Sequence, residues 1–366
     1  MNKVGIGIIG CGNISGAYLK AMASFPILDI RGIADVNEEI ARARATEFNV
    51  QARAVDDLLE DPLIDIIVNL TIPKAHVEVG LRALEAGKHT YSEKPLGINF
   101  AEGKKLADAA KAKGLRIGAA PDTFLGGGHQ AARKLVDEGV LGVPVGGTAT
   151  FMCPGHERWH PNPAFYYEVG GGPMLDMGPY YITDLVNLLG QVAKVAGFAT
   201  SPRKERLITS EPRNGEKIPV HVATHVAGVL AFANGAIVQM GMSFDVAGHK
   251  HVPLEIYGTE GTLIVPDPNH FGGEVQLLRK GGEFEEKQLT SPYADGNYRS
   301  IGVADMAHAI RENRQHRANG DLALHVLEVM EAFQTASDTG AAVSITTHVE
   351  RPAPLEASLV DGQLGK

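Results

Sequence analysis

The chain has 366 residues, 44% hydrophobic and 21% charged, with 43 glycines, a formal net charge of -9 and a pI near 5.9. That length passes the size at which one core stops growing, so two domains are expected, and the composition is that of a folded rather than a disordered protein. The acidic balance argues against nucleic acid as a partner, and Cys11 and Cys153, far apart, form neither a disulfide framework nor a metal spacing, so a reducing cytoplasm and no metal are expected.

The apolar run at 4–10 is too short for a secretory signal core and no run reaches membrane-spanning length, so it reads as a buried first strand and no membrane partner is expected. Further strand-length runs at 29–35, 64–70, 89–92 and 116–120 alternate with helix-period segments. This rhythm predicts an α/β fold, with a doubly wound parallel Rossmann sheet over residues 1–121. Between the first strand and its helix stands Gly10-Cys11-Gly12-Asn13-Ile14-Ser15. Gly10 permits the turn, Gly12 lets a pyrophosphate approach the backbone, and Asn13 and Ile14 open a helix whose N-terminus favours anions. Asp35, 23 residues beyond Gly12, is spaced to accept from ribose hydroxyls, with helix capping as its other use. A carboxylate there repels a 2′-phosphate, so NAD is expected over NADP, although Arg42 and Arg44 lie nearby.

After the strand at 64–70, Thr71-Ile72-Pro73-Lys74-Ala75-His76 lies on the carboxyl rim of the sheet, where ligands bind. Thr71, Pro73 and His76 are therefore candidates to flank the nicotinamide, and His76 reads equally as an ordinary helix-surface residue. Glu93-Lys94-Pro95 reaches the same rim. Proline restricts the residue before it, so the direction of Lys94 is fixed, and its ammonium could polarise a substrate hydroxyl with Glu93 beside the cofactor. A solvated Glu-Lys pair is the alternative.

Residues 122–366 change pattern. Strands flanking Asn234-Gly235, and a weaker pair flanking Gly281-Gly282, predict an α+β domain with a mostly antiparallel sheet. Helices are expected over about 130–138, 175–189, 300–313 and 322–338, and the polar stretch 201–219 reads as a loop. Both faces of 221–233 are apolar, so the alanine-rich one should pack against helices or another subunit, in a dimer or tetramer. His129, after three glycines, could approach the cofactor or simply follow a turn. The insert Pro154-Gly155-His156-Glu157-Arg158-Trp159-His160-Pro161-Asn162-Pro163 holds the only tryptophan. An aromatic plane among His156 and His160 suits a polyhydroxylated ring, which has an apolar face and a polar edge. A surface loop or a subunit contact is the other reading. If the next helix begins near Asp176, then Pro179 falls in its first turns and Asp176, Tyr180 and Asp184 share one face. An ammonium from Lys94 would favour the Tyr180 phenolate, making Tyr180 a general acid and base, with Asp176 orienting either the lysine or the tyrosine.

In their joint order these motifs resemble the glucose-fructose oxidoreductase, inositol dehydrogenase and MocA (Gfo/Idh/MocA) family over nearly the whole chain. The resemblance implies that the mostly antiparallel sheet of residues 122–366 is open and serves substrate binding and oligomerisation, and it implies a nicotinamide cofactor and hydride exchange with a hydroxyl or ketone of a sugar, sugar acid or cyclitol. Lys94 and Asp176 match the family's catalytic lysine and aspartate, whereas many members carry a histidine where this chain has Tyr180. His129, His156 and His160 therefore stand as substitute proton carriers. NAD-dependent redox-neutral glycoside cleavage and a non-catalytic NAD-binding regulator are the alternatives the resemblance leaves.

Overall fold

The computed structural model describes residues 3–356, 358–360 and 362–365. Five strands, β1 (Val4–Ile9), β2 (Leu28–Ala34), β3 (Ile66–Asn69), β4 (His89–Ser92) and β5 (Ile117–Ala119), form a parallel sheet in the order β2-β1-β3-β4-β5. Buried on both faces, β1 and β3 are apolar along nearly their whole length, as a sheet covered by helices on each side requires. The helices between them are α1 (Asn13–Met22), α2 (Glu38–Phe48), α3 (Val55–Glu60), α4 (His76–Glu85) and α5 (Phe100–Lys113). Local chemistry sets their ends: Asn37 caps α2 by accepting from Glu39 N at 3.0 Å, Asn99 caps α5, and Gly114 closes α5 in a left-handed conformation. The chain leaves β1 for β2 on one side and returns to β3 on the other. A crevice therefore opens between the carboxyl ends of β1 and β3, where such sheets hold ligands.

The second half carries α6 (Gly127–Asp137), β6 (Pro144–Met152), α7 (Gly172–Leu189), β7 (Val192–Thr200), β8 (Glu205–Leu207), β9 (Lys217–Pro219), β10 (His225–Phe232), β11 (Ile237–Ser243), β12 (Leu254–Gly258), β13 (Gly261–Val265), β14 (Val275–Arg279) and β15 (Phe284–Lys287). Two helices and a short strand follow: α8 (Ile301–Glu312), α9 (Gly320–Thr339) and β16 (Val343–Ser344). Nine strands join in the order β15-β14-β13-β12-β6-β11-β10-β7-β16, antiparallel except where β6 pairs with β11. The stretch 201–219 is not simply a loop, because β8 and β9 pair within it around the buried side chain of Arg206.

Helices α7 and α9 cover one face of the large sheet, against Val226, Leu230 and Phe232 of β10. Among the described residues no helix covers the alanine-rich face of β10: Ala227 and Val229 are exposed beside Phe198 at 73% and Ile237 at 56%. This corrects one option of the sequence reading, since the helix-facing side is the one with the larger side chains. Helix α8 packs against α1 and β5, and α9 against α5 and β5, so the last helices return to the first sheet. Among the described residues no helix is long and apolar enough to cross a membrane.

Candidate active site

At the end of β1 the backbone is shaped for a phosphate. Gly10 has φ +104°, and a Cβ there would lie 2.5 Å from the Leu70 carbonyl carbon, so only glycine fits. A Cβ on Gly12 would meet nothing within 4 Å, and Gly12 has no side chain with which to cap α1. The loop thus offers open space and the unpaired N–H groups of a helix N-terminus, starting with Asn13 and Ile14, which fit a nucleotide pyrophosphate. Asp35 turns toward this loop, accepting from Cys11 N at 2.8 Å and Asn37 N at 2.9 Å. Its carboxylate is therefore held beside the crevice. The Cys11 thiol, pushed up to about 11 chiefly by burial, donates to the Ala34 carbonyl and is inert.

On the same rim, Thr71 donates its hydroxyl to Asn69 at 2.7 Å, and Pro73 opens a short 3-10 turn at Pro73–Ala75. His76 is wholly buried, with Nδ1 2.7 Å from Pro95 O and Nε2 3.0 Å from Thr71 O. Its ring is packed between the Thr71 loop and the Lys94-Pro95 loop rather than reaching into the crevice, and burial holds it below the usual histidine range, where its single N–H can donate to one of the two carbonyls. Glu93 is spent in a similar way. One oxygen accepts from the Tyr18 hydroxyl at 2.8 Å and the other from Lys94 N at 3.0 Å.

Lys94 crosses to the other domain. Its Nζ lies 2.7 Å from both the backbone oxygen and Oδ1 of Asp176, and 5.4 Å from the centre of the Tyr180 ring. Two of its three N–H donors are thereby used, leaving the third for an incoming oxygen. Burial alone would depress Lys94, but the Asp176 carboxylate lifts it above the usual lysine range. Burial would likewise raise Asp176, yet the Lys94 ammonium outweighs it and holds the carboxyl well below its usual range. Helix α7 begins at Gly172, not near Asp176, which puts Pro179 inside the helix rather than in its first turn. The proline cannot donate to the Leu175 carbonyl, so one rung is missing beside the Asp176 carbonyl that Lys94 reaches.

Tyr180 departs from expectation. Burial raises its hydroxyl above the ordinary tyrosine range, and the lowering pull of the Lys94 and Arg299 charges does not compensate. The group is a phenol at neutral pH, not a phenolate. Arg299, held by Asn269 Oδ1 at 2.7 Å, was not evident in the sequence, because 119 positions separate it from Tyr180.

The third wall is the segment before α7. His156 Nε2 lies 3.0 Å from Asp176 Oδ2, and the indole N–H of Trp159 is 3.1 Å from His156 Nδ1. Trp159 is 55% exposed, with His160 edge-on to it at 5.2 Å and Nδ1 of His160 accepting from Asn162 N. Tyr166, unremarked in the sequence, packs 4.5 Å from the His156 ring, and burial followed by the Asp176 charge raises its hydroxyl. Behind this wall Arg206 clamps Glu157 at 3.0 Å and Asp245 at 2.6 Å while lying over the Tyr167 ring. Removing Arg206 would strand two carboxylates at a cost of about 3–5 kcal/mol.

The structure thus brings Lys94, Asp176, Tyr180, His156 and Trp159 together, with His160 at the edge. It does not bring in His129. That ring is fully buried between Asp184 Oδ2 and His270 O, both at 2.8 Å, and although burial alone would lower it, Asp184 raises it. Asp184, sharing a helix face with Asp176 and Tyr180, is likewise a buried structural partner.

Comparison with known proteins gives the family and the fold. Residues 4–120 match the oxidoreductase family model with an NAD-binding Rossmann fold, and residues 129–264 match the GFO/IDH/MocA C-terminal domain. The chain is 33% identical over 352 residues to the dTDP-3,4-didehydro-2,6-dideoxy-alpha-D-glucose 3-reductase of Streptomyces violaceoruber, covering 91% of this chain and 95% of that protein. It is 28% identical over 291 residues to the levoglucosan dehydrogenase of Pseudarthrobacter phenanthrenivorans, covering 72% and 74%. A solved structure of levoglucosan dehydrogenase in complex with NADH and L-sorbose shares the fold, with TM-score 0.84 at 23% identity over 95% of this chain and 100% of that one.

Proposed function

The chain belongs to the Gfo/Idh/MocA oxidoreductase family, and from that premise we propose that it exchanges hydride between NAD and a hydroxyl or ketone of a sugar, sugar acid or cyclitol. The observation that carries this reading is the meeting of Lys94 from one domain with Asp176 and Tyr180 from the other, on the rim that also bears the glycine loop. The names of the relatives, a levoglucosan dehydrogenase and a sugar reductase, favour a sugar-like substrate.

Gly10, Gly12 and the first turn of α1 would hold the pyrophosphate, Asp35 the adenosine ribose, and the Thr71 loop the nicotinamide end. When bound, the nicotinamide supplies the hydride acceptor or donor. Asp35 favours NAD over NADP, and Arg42 and Arg44 are already paired with Glu38 at 2.9 Å and Glu47 at 2.7 Å. Lys94 directs its free N–H at the reacting oxygen and stabilises the negative charge that grows there. Asp176 holds the ammonium in place. Tyr180, protonated at neutral pH, gives a proton to that oxygen during reduction and takes one during oxidation. Both ring nitrogens of His129 and of His156 are engaged, and His160 stands at the edge beside the exposed Trp159 rather than at Lys94, which favours Tyr180 as the carrier. Trp159, His160 and Tyr166 offer an aromatic plane with polar edges to the sugar ring.

The decisive experiment is a panel of sugars, inositols and sugar acids, with NAD and NADP tested separately and nicotinamide absorbance followed. A turnover with at least one polyol, faster with NAD, is expected; no absorbance change with any of them would overturn the reading. A cytoplasmic setting suits the free thiols of Cys11 and Cys153. The bare sheet face bearing Phe198, Val229 and Ile237 is the surface for a second copy. Light scattering should give a mass above that of one chain, and Phe198→Asp should reduce it.

A further inference from the structure

Hydrogen-bond direction around His156 follows from donor chemistry alone. An indole nitrogen donates and never accepts, so the His156 Nδ1 that faces Trp159 Nε1 at 3.1 Å must be the unprotonated nitrogen. The ring proton then sits on Nε2 and is donated to Asp176 Oδ2 at 3.0 Å. Lys94 donates to the other carboxylate oxygen at 2.7 Å. Each link from Trp159 through His156 to Asp176, and from Lys94 to Asp176, thus runs one way. The opposite tautomer would set one N–H against another and lose both bonds.

We propose that Trp159 is a positioning residue: its indole N–H fixes His156 as the Nε2–H tautomer, making His156 a standing donor to Asp176 and barring it from taking a proton from substrate. The proposal rests on the reading of Lys94, Asp176 and Tyr180 as the reacting group. It supplies a role for the single tryptophan beyond stacking. The surroundings support a fixed ring: His156 is 9% exposed, with Tyr166 and Phe244 rings each 4.5 Å away and its backbone N–H donating to the Tyr167 hydroxyl at 3.3 Å. Glu157, the next residue, is anchored by Arg206. The ring faces ionisable Asp176, Tyr166 and His160, and only Asp176 bonds it.

Nitrogen-15 spectra of the imidazoles in the full-length protein, without substrate, test the tautomer directly. His156, assigned by the signal lost in His156→Gln, should show a protonated Nε2 and a bare Nδ1. Trp159→Phe, which keeps an aromatic ring at an exposed site but offers Nδ1 no donor while Asp176 still holds Nε2–H, should allow a protonated Nδ1 to appear in the spectrum. A protonated Nδ1 in the parent protein, or an unchanged spectrum in Trp159→Phe, would overturn the proposal. Kinetics give a second arm. His156→Leu should lower kcat by roughly 10- to 100-fold, the effect of one hydrogen bond to a charged group. His156→Gln, whose amide can donate to Asp176 and accept from Trp159, should recover most of that loss; a glutamine variant as slow as the leucine one would mean that His156 carries the proton. The spectra need no turnover, so a correct tautomer in an inactive protein would refute the proposed activity alone.

Discussion

On the cofactor side of the cleft the backbone does the positioning, whereas on the substrate side long side chains do. The glycine loop works through a left-handed φ at Gly10, an open Gly12 and helix N–H groups, and needs only Asp35 to complete it. The opposite wall depends on Lys94, Asp176, His156, Trp159, Tyr180 and Arg299, which come from four separate stretches of chain. A backbone site is set by neighbours in sequence; a side-chain site exists only once distant segments have packed. The first should tolerate changes in substrate, and the second should decide what the substrate is.

Substitutions that strike one side and spare the other sharpen this contrast. The largest effect is expected from Lys94→Ala, which removes the donor to the reacting oxygen: turnover should fall by roughly 10²–10³-fold while NAD binding, followed by fluorescence titration, stays close to the parent value. An equal loss of NAD affinity would mean that the two walls are not separable. Tyr180→Phe should lower kcat by about 10²-fold. Because burial keeps Tyr180 protonated above the ordinary tyrosine range, reduction should hold its rate through neutral pH and fall only in alkali, while oxidation climbs with pH. The phenylalanine variant should lose both dependences, and profiles unchanged by the substitution would move the proton to another group. Asp35→Ala lies on the backbone side, and should weaken NAD by about tenfold, relax the preference against NADP, and leave kcat at saturation intact.

The smallest effect is expected at Asp122, at the seam between the walls. Its buried carboxyl, raised to about 6 chiefly by burial, accepts from Ser300 N at 3.1 Å and Gly302 N at 3.0 Å just before and within α8. With a folded value above the unfolded one, its contribution to stability is fully present below about pH 4 and is lost as pH rises through 6. Thermal melting of Asp122→Asn should show a flatter slope across that window than the parent; identical slopes would place the effect elsewhere.

The same contrast explains what could be read beforehand. The five parallel strands, the glycine loop and the spacing to Asp35 were legible because each depends on local pattern. Lys94 and Asp176 were legible as motifs, but their contact is a tertiary fact. Tyr166 and Arg299 carry no local signal, since a tyrosine in a loop and an arginine before a helix are commonplace. The phenolate expected at Tyr180 failed because sequence displays a neighbouring cation but not the depth of burial. His129 and His76 misled for the same reason: each ring is packed between segments inside the protein. The hairpin within 201–219 was hidden by its polar composition, since its few buried apolar side chains, Ile208 and Ile218, are joined by a charged arginine, Arg206, whose partners, Glu157 and Asp245, lie in other segments.

The return of α8 and α9 to the first sheet bears on how the molecule comes apart. Gly118 of β5 bridges to Asn319, and His316 Nε2 lies 3.1 Å from Ile117 O, so the edge of the nucleotide-binding half is finished by residues made two hundred positions later. A fragment ending near 121 would bare that edge and should aggregate instead of binding a dinucleotide. Conversely, ligand seated in the glycine crevice should delay melting of the distant nine-stranded lobe as well, the two dissolving in a single cooperative event.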